Sequence, residues 1–342
     1  KTAYEISLGL VGSEMCIRDR INVILMDKIF TKNIEHESAV KHVTGKAIYT
    51  DDISEPKNLL HAVIGYSNCS KGVIKKIDYK DVLSSEGVVD IITEKDIEGI
   101  NDVGPIFKGD KIFTSKNIEY YGQPIFAVIA KTNNLAKKAA LKVKIDLKIS
   151  KPIVSIEEAL KKKSFVLKPK HLTRGDIKDG FKKSDNILKG KLYSGGQDHF
   201  YLEGQIAMTI PQEDNNFLVY SSTQHPSETQ QIIGKVLKQN YNSIHVIVRR
   251  IGGGFGGKET QSFLFAAITS IAAKKLSKPV KLRVDRDDDM IMTGKRHDFL
   301  FDYEVGFNNS GEILALKIMM ASRCGISPDL SGAINDRAIY HI

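Results

Sequence analysis

Cysteine is scarce in this sequence of 342 residues, and tryptophan is absent. The three cysteines, Cys16, Cys69 and Cys324, lie far apart and show no CxxC or CxxH spacing. The chain alone therefore cannot supply the four thiolates of an iron–sulfur cluster or of a structural zinc site, and a disulfide scaffold is not expected. This use of cysteine favours a reducing compartment, and we predict a cytoplasmic location.

Long apolar runs are also missing from the sequence. No stretch approaches the roughly 20 apolar residues of a membrane-spanning helix, so we expect no membrane partner. Hydrophobic residues nevertheless make up 42% of the chain, which is close to the average for globular proteins and enough for a sizeable core.

The charge balance is basic, with 50 Lys and Arg against 41 Asp and Glu and a net charge of +9. A basic field attracts polyanions, so a nucleic-acid-binding protein is one alternative function. The lysines, however, stand beside acidic residues, and only residues 161–163 form a lysine run. We therefore favour a solvated lysine-rich surface and expect no nucleic-acid partner.

The first residues of the chain are unlike the rest of the sequence. Residues 1–20 lack the order of a signal peptide and resemble translated sequencing-adapter DNA, while Met26 would be a sensible start. We therefore predict that residues 1–25 are a non-native extension.

The rest of the sequence predicts an α+β fold in two domains. In the first, residues 35–150, short β-type runs precede one helix at residues 134–142. These runs are residues 47–50, 60–65, 87–92 and 124–130. Residues 151–186 are polar and lysine-rich and are the predicted linker. The second domain then covers residues 187–342.

In the second domain the sequence predicts strands and two helices between them. Pro226 suits the first turn of a helix, which places Gln224 at a strand-to-helix corner. The predicted strands are residues 187–193, 217–222, 244–251, 280–284, 300–305 and 313–320, and the second helix is residues 260–275. The NNSG sequence at residues 308–311 predicts a hairpin.

The acidic run at residues 285–289 could be mistaken for a calcium loop. It lacks the alternating acids and terminal Glu of an EF-hand. We interpret it as a solvated turn whose acids form ion pairs with Arg283 and Arg286.

The sharpest motif is the run GGGFGG at residues 252–257, which contains G-x-G-x-x-G between a predicted strand and a predicted helix. In a dinucleotide-binding fold an acid follows about 20 residues later, whereas Asp285 lies nearer thirty residues on. An NAD- or FAD-binding oxidoreductase is therefore an alternative. Independently of any fingerprint, so many glycines indicate a backbone that turns with positive φ or approaches something bulky. Phe255 is unusual for a phosphate-binding loop, and Glu259 falls near the start of the following helix.

Several motifs together carry a resemblance to a known family. They are residues 251–260 (IGGGFGGKET), 195–203 (GGQDHFYLE), 221–224 (SSTQ) and 285–296 (DRDDDMIMTGKR). They resemble the molybdenum-binding region of the xanthine dehydrogenase and aldehyde oxidase family. Residues 42–53 (HVTGKAIYTDDI) and 121–130 (YGQPIFAVIA) resemble the hammerhead domain of that family. The resemblance implies an α/β hammerhead domain followed by an incomplete mixed α/β molybdenum-cofactor-binding domain, as an N-terminal fragment of the large subunit.

The resemblance also implies roles for individual residues. Gln224 would point its side-chain amide at an oxo ligand of molybdenum, without being a direct ligand itself. Phe255 and its neighbouring glycines would pass close to the ligand sphere of the metal; those glycines are Gly254, Gly256 and Gly257. Glu259 would hydrogen-bond a purine ring and stabilise charge that develops on it. His199 and His225 are interpreted as packing or hydrogen-bonding residues.

The implied activity is oxidation of hypoxanthine and xanthine to urate, with oxygen from water. Glu259 favours a purine, because family members that oxidise aldehydes tend to carry an apolar residue there; an aldehyde or another N-heterocycle is the alternative within the family. The implied cofactors are molybdenum-molybdopterin on this chain, and 2Fe-2S and FAD on a partner subunit or missing segment that passes electrons to NAD. A higher oligomer such as a dimer of heterodimers is expected. The substrate arginine and catalytic base are expected beyond Ile342, so this chain alone is expected to be inactive.

Overall fold

The computed structural model describes residues 36–340. The predicted extension at residues 1–25 lies outside the described residues. The chain divides into two units, one ending at Ala47 and one beginning at Ile48. The described part of the first unit contains helix α1 (Ala39–Val43).

The second unit contains thirteen strands among its described residues. They are β1 (Leu60–Tyr66), β2 (Gly72–Asp78), β3 (Val88–Ile92), β4 (Asn117–Ile118), β5 (Pro124–Ala130), β6 (Lys144–Ile149), β7 (Asn186–Ser194), β8 (Ile206–Pro211), β9 (Phe217–Ser221), β10 (Ile244–Ile247), β11 (Val280–Arg283), β12 (Phe299–Phe307) and β13 (Ile313–Ser322). Seven of them form one mixed sheet in the order β10-β9-β8-β11-β1-β5-β3. Two three-stranded sheets, β13-β12-β7 and β4-β2-β6, complete the described strands.

The described helices of the second unit lie mainly between these strands. They are α2 (Lys80–Leu83), α3 (Asn133–Ala140), α4 (Ile156–Lys161), α5 (Ile177–Lys182), α6 (Pro226–Leu237), α7 (Ser262–Leu276), α8 (Arg286–Met292) and α9 (Ser331–Tyr340). No helix of the described part of the chain combines the length and the apolar character needed to cross a membrane.

The large sheet contains strands from two regions that are far apart in the sequence. Strand β1 pairs in parallel with β11, so that Leu60 lies opposite Val280, and it pairs antiparallel with β5 on its other side. One hydrophobic core therefore includes residues from both sequence regions, such as Ile64 and Phe263. A second core packs α3 against the sheet through residues such as Phe126 and Ala136.

Helices α6 and α7 cover the part of the sheet that leads to the glycine-rich loop. Helix α6 buries Ile232, Ile233, Val236 and Leu237, as its apolar spacing predicts. Helix α7 is apolar on most sides and is buried from Ser262 through Ala273 except at Leu264. These two helices fix the strand ends from which the loop emerges.

The predicted hairpin is present. Strands β12 and β13 pair antiparallel along their length, and Asn308 Oδ1 accepts hydrogen bonds from Ser310 N at 3.1 Å and Glu312 N at 2.9 Å. Gly311 has a φ of 86°, which a residue without a Cβ adopts at little cost.

Three local predictions are wrong. The expected strand at residues 47–50 is absent: residues 47–49 lie outside any strand, and a 3-10 turn forms at Thr50–Asp52. The strand predicted at residues 244–251 ends at Ile247, because the chain leaves the sheet to reach the glycine loop. The acidic run at residues 285–289 is the start of α8 rather than a solvated turn.

Asp289 gives the physical reason for the last correction. Its side chain is buried and accepts a hydrogen bond from Tyr201 Oη at 2.7 Å. Arg283 instead pairs with Asp51 at 3.1 Å, and the guanidinium of Arg286 donates to the carbonyl oxygens of residues 201 and 202. The acids and bases of this segment thus bind distant parts of the fold and not each other.

Candidate functional site

Gln224 stands where β9 ends and α6 begins, as the sequence predicts. Its backbone N–H donates to Lys258 O at 2.9 Å, and its side-chain Oε1 accepts from Gly256 N at 3.0 Å and Lys258 N at 3.2 Å. Because Oε1 faces these two donors, the amide nitrogen of Gln224 remains to donate elsewhere. The residue is exposed, so this donor can serve a bound group.

The glycine loop at residues 252–257 turns through three left-handed residues. The φ angles are 93° at Gly253, 53° at Phe255 and 88° at Gly256. A left-handed conformation costs a bulky residue on the order of 1 kcal/mol or more, and such strain is typical of functional sites. The side chain of Phe255 is 73% exposed, so burial of its ring does not offset this strain.

Gly254 and Gly257 are packed too tightly for a side chain. A Cβ on Gly254 would lie 2.6 Å from Gln224 Oε1, and one on Gly257 would lie 2.7 Å from atoms of both His199 and Tyr201. A Cβ on Gly256, in contrast, would meet no atom closer than His199 Nε2 at 3.9 Å. The loop is therefore tight against the protein at Gly254 and Gly257 and open at Gly256.

Three of the six loop amides form hydrogen bonds within the protein. Gly252 N donates to Glu203 Oε2 at 2.8 Å, Gly257 N donates to Gly254 O at 2.7 Å, and Gly256 N donates to Gln224. A phosphate-binding loop needs such amides to be free for its anion. In addition, β10 and β11 are separated by β9 and β8, whereas a dinucleotide-binding unit joins neighbouring strands. Both observations argue against the NAD- or FAD-binding alternative.

Glu259 lies half-buried beside the Gln224 corner. The next residue of that corner, His225, places Nδ1 at 3.2 Å from Glu228 Oε2 and Nε2 at 3.9 Å from Glu259 Oε1. The imidazole thus stands between two carboxylates at the start of α6. About a third of the Glu259 side chain stays accessible, which leaves its carboxylate available to a ligand.

A buried lysine lies beneath the loop. Lys258 is 0% exposed, and its Nζ donates to Glu203 O at 2.7 Å and Ser222 Oγ at 2.6 Å. Burial lowers the pKa of Lys258 to about 8, and the nearby Glu203 carboxylate opposes that shift. A lysine beside glycines in the sequence reads as a surface residue, so only the packing reveals this one.

A second buried network supports the other side of the loop. Gln205 Nε2 donates to Gly257 O at 3.0 Å and to Tyr201 Oη at 2.8 Å, and Tyr201 in turn binds Asp289. Burial, followed by the charge of Asp289, raises the pKa of Tyr201. His199 stacks beside Tyr201 with ring centroids 6.5 Å apart, and burial lowers its pKa. His199 and Tyr201 belong to the motif at residues 195–203, which therefore packs beneath the glycine loop.

Comparison with known proteins identifies the family. A model of the Molybdopterin cofactor-binding domain family matches residues 158–342, and a model of the aldehyde oxidase and xanthine dehydrogenase a/b hammerhead domain matches residues 44–151. The chain belongs to the xanthine dehydrogenase and aldehyde oxidase family. The predicted order, a hammerhead domain followed by a mixed α/β molybdenum-binding domain, is thereby confirmed.

Curated members of the family are similar over most of this chain. Xanthine dehydrogenase of Dictyostelium discoideum is 40% identical over 311 residues, which are 91% of this chain and 23% of that protein. Xanthine dehydrogenase/oxidase of Gallus gallus is 38% identical over 319 residues, which are 93% of this chain and 23% of that protein. The chain thus spans about a quarter of the length of these relatives.

Solved structures show the same fold. The aldehyde oxidoreductase from Desulfovibrio gigas superimposes with a TM-score of 0.74 at 25% identity, over 83% of this chain and 33% of that one. Quinoline 2-oxidoreductase from Pseudomonas putida 86 gives a TM-score of 0.73 at 19% identity, over 84% of this chain and 38% of that one.

The arrangement of this loop suits a bulky group that lies against its backbone. Within residues 36–340 no cluster of three or more His, Cys, Asp or Glu side chains could hold a metal ion. What the loop offers instead is a backbone with an open side at Gly256 and a free amide donor on Gln224. The residues present therefore fit a molybdopterin-type cofactor, whose metal is held by the pterin.

Proposed function

We propose that this chain forms part of a molybdenum hydroxylase that oxidises a purine, hypoxanthine or xanthine, to urate. The observation that carries the proposal is the position of Glu259. A partly accessible carboxylate lies next to the corner of Gln224, just after the loop that presents an open side at Gly256. A carboxylate at this place accepts hydrogen bonds from ring N–H groups, which purines have and simple aldehydes lack.

Different residues of the candidate site would hold the cofactor and the substrate. Gln224 would donate its amide N–H to the cofactor, while the backbone of Phe255 and Gly256 would lie against it. A molybdenum cofactor held here would supply a nucleophilic oxygen derived from water and would accept the electrons of the oxidation. Glu259 would orient the purine and stabilise charge that shifts onto the ring during attack, and it is the chain's own contribution to rate.

Electron transfer requires groups that the described residues do not supply. We propose 2Fe-2S and FAD on a partner subunit or on another segment of the same protein, with NAD as the acceptor and a dimer of heterodimers as the assembly. The similarity to xanthine dehydrogenases supports this arrangement. The cytoplasmic location stays a prediction.

The test is a measurement on the complete protein that carries these residues, produced in a host that makes the molybdenum cofactor. We expect near-stoichiometric molybdenum and pterin and conversion of xanthine to urate. Oxidation of aldehydes or quinoline-type heterocycles without xanthine turnover would replace the purine by the alternative substrates. Absence of molybdenum, together with tight binding of NAD or FAD to this chain, would overturn the proposal.

A further inference from the structure

The two ends of the glycine loop converge on one residue, Glu203. At the first end, Gly252 N donates to Glu203 Oε2 at 2.8 Å. At the other end, Lys258 Nζ donates to Glu203 O at 2.7 Å and lies 3.6 Å from Glu203 Oε2. Gly252 and Lys258, at the two ends of the loop, thus both contact the carboxylate of Glu203.

Further contacts complete the surroundings of this ion pair. Ser222 Oγ donates to Glu203 Oε2 at 2.6 Å and accepts from Lys258 Nζ at 2.6 Å, while Thr50 N donates to Glu203 Oε1 at 3.1 Å. The side chain of Lys258 is fully buried, and that of Glu203 is 10% exposed. Buried charges are tolerated only when paired and hydrogen-bonded, and both conditions are met.

The backbone of Lys258 links this ion pair to the candidate site. Its N–H binds Gln224 Oε1 at 3.2 Å, and its carbonyl accepts from Gln224 N at 2.9 Å. Glu259 follows directly in the chain. A displacement of Lys258 would therefore move both the amide of Gln224 and the carboxylate of Glu259.

We propose that the Glu203–Lys258 ion pair is a positioning device that holds the ends of the glycine loop at the separation the cofactor requires. Neither residue touches the open side of the loop, so both are positioning residues and not catalytic ones. The inference rests on the proposed function for the identity of the seated group, but the fixing of the loop is a property of this chain alone. A role in stability only is the competing explanation.

Hydrogen exchange of the loop amides tests the fixing without any cofactor. We expect Ser222→Ala, which removes one hydroxyl but leaves both charges paired, to speed exchange of the Gly252, Gly256 and Lys258 amides by about tenfold or more. Ser270→Ala is the matched control, since Ser270 is equally buried but hydrogen-bonds Thr209 within the core. Equal exchange of the loop in both variants would overturn the proposal.

A double replacement separates positioning from stability. Glu203→Gln and Lys258→Met each leave one buried charge without its partner and should lower the melting temperature. The two changes combined should recover much of it, because no charge stays unpaired and the amide oxygen of the new Gln can still accept from Gly252 N. In the complete protein we expect the double variant to carry at least about tenfold less molybdenum than wild type despite that recovery. Wild-type loading in the double variant would show that the pair is structural only. If wild type itself carries no molybdenum, the proposed function fails, while the exchange experiment still decides the fixing of the loop.

Discussion

Gly254 and Gly256 lie two residues apart but exclude side chains for different reasons. Gly254 faces Gln224, where a Cβ would approach Oε1 to 2.6 Å. Gly256 has open space beside it and a φ of 88°, so its constraint is the left-handed backbone and whatever occupies the open side. A change at each glycine therefore tests a different part of the site.

Gly254→Ala should displace the side chain of Gln224 and destabilise the chain itself. Gly256→Val should cost only the strain of a left-handed residue, about 1–2 kcal/mol, but should block the open side of the loop. Thermal unfolding of the chain and molybdenum analysis of the complete protein measure the two effects. Stoichiometric molybdenum in Gly256→Val would contradict steric exclusion of the cofactor.

Glu259→Ala in the complete enzyme should slow xanthine oxidation by on the order of 10²-fold, which is the usual effect of losing one electrostatic contact to the transition state. Molybdenum content should stay at the wild-type level, because the Glu259 side chain is not among the contacts that fix the loop. Steady-state kinetics with xanthine measure the change. An unaltered rate would show that Glu259 does not stabilise the transition state.

The burial of the Lys258 ammonium makes the free energy of unfolding depend on pH. Its pKa is lowered to about 8 from 10.5, and Glu203→Gln should lower it further because the carboxylate favours the charged form. Between about pH 8 and pH 10.5 the unfolded chain binds more protons at Lys258 than the folded chain does. The contribution of Lys258 to the free energy of unfolding should therefore rise with pH from about 8 to 10.5 and be constant below about 8.

Lysine-selective NMR labelling measures this pKa directly. The resonance of Lys258 is identified by its disappearance in Lys258→Met. A titration midpoint at the ordinary lysine value of 10.5 would contradict burial of the charge.

At the scale of elements, α6 links the hydrophobic core to the candidate site. Its first residue, Pro226, lies two positions after Gln224, and its apolar face fills the main core. Any loosening of the helix should therefore reach the Gln224 corner. The site is held by ordinary core packing as well as by its polar networks.

Ile233→Ala should destabilise the chain by about 2–5 kcal/mol, because Ile233 is fully buried and its loss leaves a cavity. Lys235→Ala, an exposed change on the same helix, should shift stability by less than about 0.5 kcal/mol. Denaturant unfolding gives both values. Equal stability of the two variants would show that α6 is not packed as described.

The elements that sequence reasoning could predict are those whose pattern repeats locally. The apolar spacing of α6 and the NNSG turn of the β12–β13 hairpin are each contained in about a dozen residues, so both follow from sequence. Asp289 and Lys258 are different, because their burial depends on partners far along the chain, such as Tyr201 and Glu203. A charged residue reads as solvated until its distant partner is known.

The same distinction between local patterns and contacts with distant residues applies to the candidate site. The resemblance to a known family pointed to Gln224, Phe255 and Glu259, and the fold brings the loop, the strand-to-helix corner and the carboxylate together. The different packing constraints on Gly254, Gly256 and Gly257 are not predictable from the sequence, because they depend on side chains such as His199 that belong to another motif.

At the scale of the whole molecule, the continuous sheet predicts cooperative unfolding. Strands of the hammerhead region and of the molybdenum-binding region share the β1–β11 pairing and one core. We expect residues 48–340 to unfold in one transition, with circular dichroism and hydrogen exchange of peptides from β5 and α7 coinciding. Val280→Ala, at the shared pairing, should shift all probes together, and two separate transitions would contradict the prediction.

The placing of β1 inside the sheet has a consequence for synthesis on the ribosome. One side of β1 pairs with β5, which follows within the same region, but its other side waits for β11, with Leu60 opposite Val280. At translation rates of about 5–20 residues per second, the intervening stretch takes roughly ten to forty seconds to emerge. During that interval a nascent chain presents an uncovered strand edge, a surface to which a chaperone or another nascent chain can bind.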